Sequence, residues 1–192
     1  MGAPRIAVVG WGSLIWDPRQ LPLSSSWQPD GPELPVEFAR VSRDGRLTLA
    51  LRDGVGAVQT LWAITSCASL DEARDQLARR ERTDATRIGS LDCHGDGRVE
   101  SLDAVHRRSL PRLASWLADR DLEGVVWTGL PSNFEEQTGD SLDEDAAVRY
   151  AAQLSGETRH VAEQYVRRAP AQVRTTIRAG LERELGWTAA EA

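Results

Sequence analysis

Arg5-Ile6-Ala7-Val8-Val9-Gly10-Trp11-Gly12-Ser13-Leu14-Ile15-Trp16-Asp17-Pro18 opens the chain on an apolar run that breaks at a glycine pair. Four β-branched or small apolar residues bounded by Gly10 read as a short buried strand, too short for a membrane span. Glycines on either side of Trp11 let the backbone turn tightly, with peptide N–H groups left to point outward. Convergent amides of this kind bind carboxylate or phosphate oxygens. The plainer alternative is a strand-to-loop turn with Trp11 and Trp16 in the core. The pattern is not G-x-S-x-G, so Ser13 is not read as an elbow nucleophile.

Working outward, strand-like runs recur at 36–41, 46–51, 58–64 and 124–128, each rich in Val, Leu or Trp and bounded by turn residues. Asp44-Gly45 predicts a hairpin between the first two. Ser69-Leu70-Asp71-Glu72 is a capping box that starts a helix running to about Arg82. A second helix is expected over Ser109 to Arg120. Ser141-Leu142-Asp143-Glu144 opens a third, with Gly156 as its stop, and Pro170 suits the first turn of a last helix ending at Gly186. Strands first and helices last predict one mixed α/β domain over 1–192, with a helical third at about 141–187.

The charge balance narrows the chemistry. All 23 basic residues are arginine, against 29 acids. Without lysine the chain cannot build a Walker-type phosphate loop or a Schiff base. Proton transfer falls to carboxylates, tyrosines, cysteines or the three histidines. Glu135, Glu136, Asp140, Asp143, Glu144 and Asp145 form an acidic run that reads as a solvated loop and helix start. No basic stripe suggests nucleic acid. Cys67 and Cys93 cannot form a disulfide framework, and Asp92-Cys93-His94-Gly95-Asp96-Gly97 reads as a turn, so no metal or cofactor is expected. Nothing near Met1 resembles a leader segment or a lipidation signal, so a cytoplasmic location is the expectation.

Glu81 is the candidate base. On the capped helix Leu70, Ala73 and Leu77 define a core-facing stripe, and Glu81 lies about 40° from Leu77 on that stripe, whereas Arg79, Arg80 and Arg82 are expected to point elsewhere. Partial desolvation disfavours a charged carboxylate and makes it a better proton acceptor. A frayed helix end with Glu81 in solvent is the alternative.

Gly10-Trp11-Gly12-Ser13-Leu14-Ile15-Trp16 resembles the G-Y-G-S-L-I-W signature of the gamma-glutamylcyclotransferase-like family, most closely its ChaC branch. Arg80-Glu81 is similar to that branch's Arg-Glu pair, and Gly45-Arg46-Leu47-Thr48-Leu49 resembles its G-R-V-x-T-L strand. Trp127-Thr128-Gly129, Asn133 and Ser155-Gly156 echo its downstream pattern more loosely. The resemblance implies a small, barrel-like mixed sheet with flanking helices and an enzyme that releases 5-oxoproline from a γ-glutamyl amide or peptide. It implies Glu81 as general acid/base and a cradle of Trp11, Gly12, Ser13 and Leu14, with Arg46 available to a substrate carboxylate. No metal or cofactor is required.

Two positions depart from the family pattern. Trp11 replaces the tyrosine, exchanging a phenol for an indole N–H donor, and Arg82-Thr83-Asp84 follows Glu81 where the branch has Gly-Gly-Tyr. Both bear on glutathione as substrate more than on the glutamyl site. A binding module without turnover, and an interaction domain using the acidic 135–145 segment, are the other two functional readings. Tyr150 and Tyr165 are read as core.

Overall fold

The computed structural model describes residues 4–189; Met1, Gly2 and Ala3, on which the N-terminal reading partly rests, lie outside them. In chain order the strands are β1 (Ile6–Gly10), β2 (Glu33–Leu34), β3 (Val36–Val41), β4 (Leu47–Leu51), β5 (Val58–Gln59), β6 (Leu61–Thr65), β7 (Ile88–Asp92), β8 (Gly97–Arg98) and β9 (Gly124–Thr128). The helices are α1 (Leu70–Glu81), α2 (Ala104–Ala118), α3 (Phe134–Thr138), α4 (Glu144–Gln153), α5 (Gly156–Arg168) and α6 (Thr176–Leu185). The chain is therefore mixed α/β. The described residues cluster in two compact units. One gathers those up to Gly10 with Asp17–Leu34 and Gln59–Leu130; the other gathers Trp11–Trp16, Pro35–Val58 and those from Pro131 onward.

The first unit is a five-stranded mixed sheet in the order β6-β1-β9-β7-β8. Every residue of β1 is buried, as its unbroken apolar run requires. It pairs antiparallel with β6 and parallel with β9, so it sits inside the sheet. The barrel-like closure is absent among the described residues. One edge, β8, has two residues and pairs only with Ser90 and Leu91, which leaves no ladder to carry round. The outer side of β6 instead takes single bridges from Leu23 and Gln28.

Sequence periodicity does not call β7, yet it pairs along its whole length with β9. Its alternation is masked by Gly89, which stands opposite Trp127. A side chain at 89 would run into the indole, so the glycine makes room for a tryptophan with no exposed surface.

Helix α1 packs on β1, β7 and β9 through Ala73, Leu77 and Ala78. Ser69 Oγ accepts from the Glu72 amide at 3.1 Å, and Glu72 reaches back to the Ala68 amide at 2.7 Å, one residue beyond the box position. The helix closes at Arg82, whose left-handed backbone sends its N–H to Ala78 O and Arg79 O. Helix α2 starts at Ala104, five residues before the expected Ser109, and carries Pro111 inside it. Burial of Val105, His106, Ser109, Leu113, Trp116 and Leu117 along one stripe outweighs the bond that Pro111 cannot donate.

The second unit carries the expected hairpin of β3 and β4, antiparallel, with a bulge between Phe38 and Arg40. Helix α6 packs on β3 and on α4, and α5 on β4. Gly156 does not end α4; it begins α5, a helix the sequence reading lacks, and Leu154 caps α4. The last helix starts at Thr176, not in the turn after Pro170, because Thr175 Oγ1 accepts from the Arg178 amide at 3.2 Å and sets the N-terminus there.

Two buried charges tie this unit together. Arg178, 4% exposed, donates to the carbonyls of Ala169, Pro170 and Val173 and to Glu182. Glu37, 3% exposed on β3, accepts from the amides of Phe38 at 2.8 Å and Ile177 at 3.4 Å, and so closes the first turn of α6. Burial pushes the Glu37 carboxyl above its ordinary value, with hydrogen bonds from Thr175, Phe38, Ile177 and Thr176 working against it.

The acidic run is a loop and helix start, as expected: Glu136, Asp140, Asp143 and Asp145 are exposed, and Glu135 and Glu144 are half-buried. Arg52 grips Glu135 with two hydrogen bonds, at 2.7 and 2.9 Å. That contact holds the Glu135 carboxyl down at about 2. Asp143 caps α4 through the Ala146 amide at 2.7 Å, and Glu144 pairs with Arg183. The six-residue motif at Asp92–Gly97 is a turn, with the Asp92 carboxylate accepting from the amides of His94 and Asp96. No helix among the described residues is long and apolar enough to cross a membrane.

Candidate functional site

Glu81 is the last residue of α1, and its side chain is 14% exposed. The stripe that buries Ala73 and Leu77 carries it inward, as periodicity predicts. Its neighbour departs from expectation. Arg80 is buried, its side chain 4% exposed. Three residues after Leu77 is about 60° back round the helix, so the stripe that admits Glu81 on one side admits Arg80 on the other. The Arg80 guanidinium forks onto the Asp17 carbonyl, with Nε at 3.2 Å and Nη2 at 2.6 Å. Its Nη1 donates to Glu81 Oε1 at 2.8 Å. Arg19 Nη1 in turn donates to the Arg80 carbonyl at 2.8 Å, satisfying a group at the end of the helix.

A second donor reaches the same carboxylate oxygen. Thr128 Oγ1, at the end of β9, lies 3.1 Å from Glu81 Oε1. Both contacts fall on Oε1. Oε2 accepts from no described residue, and it is not sealed from solvent. A carboxylate held by one oxygen from helix and sheet together, with its other oxygen open, has a fixed orientation and a vacant basic site. The first unit also has an open groove of about 610 Å³ between Asp30–Glu33 and α2. Neither Glu81 nor Thr128 lines it.

Trp11, Gly12, Ser13, Leu14 and Arg46 belong to the second unit. Trp11 and Leu14 are buried, 6% and 4% exposed, Gly12 is buried with them, and Ser13 is half-buried. The Ile15 amide donates to Gly12 O at 3.0 Å and closes the turn. The amides of Gly12 and Leu14 donate to no described residue. Gly12 lies against the hydroxyl of Tyr165. Arg46 pairs with Asp44 at 3.0 Å and sets its guanidinium over the Tyr165 ring, 5.6 Å from the centroid. Two of the expected substrate-binding residues, Gly12 and Arg46, thus meet at one side chain.

Sequence reasoning assigned Tyr165 to the core, and 6% exposure agrees. What it missed is that the ring is a hub. Nothing at the level of spacing marks this, because Tyr165 comes from α5 and its neighbours from β4 and the first loop. Thr128 enters the sequence reading only through the loose Trp127-Thr128-Gly129 resemblance, and its hydrogen bond to Glu81 depends on how β9 lies beside α1. The expectation that Arg80 points away from the core is wrong, because an angle of about 60° from Leu77 still falls within the buried face. No family model matches this chain, no curated protein matches it, and no solved structure matches it.

Proposed function

We propose that the chain is an enzyme of the gamma-glutamylcyclotransferase-like class, which cyclises a γ-glutamyl amide or peptide to 5-oxoproline and a free amine. The observation that carries this reading is the Glu81 carboxylate, one oxygen anchored by Arg80 and Thr128 and the other open. The substrate's own α-nitrogen attacks its γ-carbonyl carbon. An ammonium has no lone pair to attack with, so Glu81 first takes its proton. The new C–N bond closes the five-membered lactam, and the attacking nitrogen gives up a second proton as it does so; the old amide C–N bond breaks, and the leaving nitrogen takes both protons, the first by way of Glu81, and departs as an ammonium.

Both reacting groups sit on one molecule, so holding the glutamyl chain folded supplies much of the rate by proximity. The unpartnered amides of Gly12 and Leu14, with Ser13, suit an anionic group of the substrate, as does the Arg46 guanidinium. The chemistry asks nothing of a lysine, a metal or a cofactor. On this reading the mixed sheet with α1 is the catalytic scaffold of that class.

The test is a panel of γ-glutamyl amides and dipeptides assayed for 5-oxoproline, with Glu81→Gln alongside. A carboxamide is isosteric and cannot take the proton, so kcat falls by about 10²–10⁴ while the fold persists. A Glu81→Gln protein as active as wild type would sink the mechanism. Binding of γ-glutamyl compounds without turnover by either protein would point to a binding module.

A further inference from the structure

We propose that Tyr165 is a positioning residue for the substrate-holding turn, and that Gly12 and Tyr165 are a matched pair. The inference rests on the γ-glutamyl reading for the identity of the ligand. Its steric basis stands apart from that reading.

Tyr165 touches the Gly10–Trp16 motif at two places. Its hydroxyl faces Gly12, and the Trp16 ring meets its ring edge-on, with centroids 5.3 Å apart and planes at 72°. A methyl group on Gly12 would overlap the hydroxyl oxygen. The next atoms are farther off: Tyr165 Cζ at 3.4 Å and Leu49 Cβ at 3.9 Å, both ordinary contacts. The obstruction at Gly12 is therefore one oxygen atom.

That oxygen is pinned. The end of a flexible side chain would swing aside, but Tyr165 is 6% exposed and its ring is held from several directions. Phe38 packs edge-on at 6.2 Å, Trp16 at 5.3 Å, and Arg46 lies over the face at 5.6 Å. The Leu49 amide, on a strand whose sheet has a partner on one side only, donates to the hydroxyl at 3.4 Å. The hydroxyl thus acts as a stop against which the turn rests. It sets the height of the Gly12 and Leu14 amides, and the same ring carries Arg46. A phenol from α5 braces the motif at whose own second position this chain has Trp11.

The stop predicts compensation between two substitutions. Gly12→Ala forces the turn off the hydroxyl. Tyr165→Phe removes the obstructing oxygen and leaves Cζ at a distance a methyl group tolerates. The experiment uses wild type, Gly12→Ala, Tyr165→Phe and the double variant, each read by KM and kcat on a γ-glutamyl substrate and by thermal unfolding. Gly12→Ala should raise KM at least about tenfold and lower Tm. The double variant should return KM to within about threefold of Tyr165→Phe alone, a coupling expected only of residues in contact.

A double variant no better than Gly12→Ala, or a Gly12→Ala protein like wild type, overturns the pairing. Recovery of Tm without recovery of KM makes the tyrosine a structural support only, and the positioning role falls. If wild type turns over none of the γ-glutamyl compounds, the proposed activity fails by itself. The same four proteins are then titrated with 5-oxoproline by calorimetry. Binding lost in Gly12→Ala and regained in the double variant keeps the positioning role. No binding by wild type overturns it.

Discussion

Arg80 Nη1 donates to Glu81 Oε1 at 2.8 Å, an ion pair between neighbours in sequence at the closed end of a helix. Adjacent residues on a helix do not normally face each other. These two meet because both flank one buried stripe and because the Arg82 cap ends α1 directly after them. The arginine is fixed first, by the Asp17 carbonyl, and the carboxylate is then fixed by the arginine.

Arg80→Lys should therefore act on catalysis through Glu81. An ammonium cannot make the fork onto the Asp17 carbonyl and reach Oε1 as well. Losing charged hydrogen bonds at a buried site costs about 1.5–3 kcal/mol, read from urea unfolding. On a γ-glutamyl substrate kcat should fall more than KM rises, since the substituted residue orients the base. An effect confined to KM would contradict this order of support.

Arg178→Lys tests the same chemistry where no site is involved. Three backbone carbonyls and Glu182 share this guanidinium, and it is almost wholly buried. A lysine leaves part of that set unsatisfied, and destabilisation of about 2–4 kcal/mol is expected from denaturant titration. A loss below about 1 kcal/mol would mean that the carbonyls find other partners.

Glu37 gives stability a pH dependence of one sign. Its carboxyl is raised by burial, so the folded state binds this proton more tightly than the unfolded chain does. Its contribution is full below the ordinary carboxyl value of 4.5 and is lost as pH rises through the raised value. Subtracting the stability profile of Glu37→Gln from that of wild type should leave a difference that declines just above that value. A flat difference would remove the buried titration.

Glu135 gives the opposite sign. Arg52 holds its carboxyl down to about 2, so its contribution is present above the ordinary value of 4.5 and lost as pH falls toward 2. The Glu135 side chain is 41% exposed, and solvent screening keeps the pair to about 1 kcal/mol or less. Arg52→Gln should abolish the acid-side difference, and high salt should shrink it in wild type. An acid limb unchanged by Arg52→Gln would assign it to other carboxylates.

The sequence by itself determined the periodic elements: the buried run of β1, the hairpin at Asp44-Gly45, and the stripe and cap of α1; between Glu81 on that stripe and Glu81 at a frayed end it left the choice open. Each follows from spacing along one segment, which the backbone geometry converts directly into a face or an end. Arg80 is the exception within that helix: expected to point away from the stripe, it is buried on the other side of Leu77. Only the tertiary structure decided what those residues meet. Strand β7 exists because Gly89 accommodates Trp127 from another strand, α2 begins before its proline because a long face is buried, and the sheet stays open because β8 is too short. Likewise Thr128 reaches Glu81, and Tyr165 underlies both Gly12 and Arg46, through contacts between segments far apart in the chain. Such contacts are set by packing, which has no period, and so leave no mark in a single sequence.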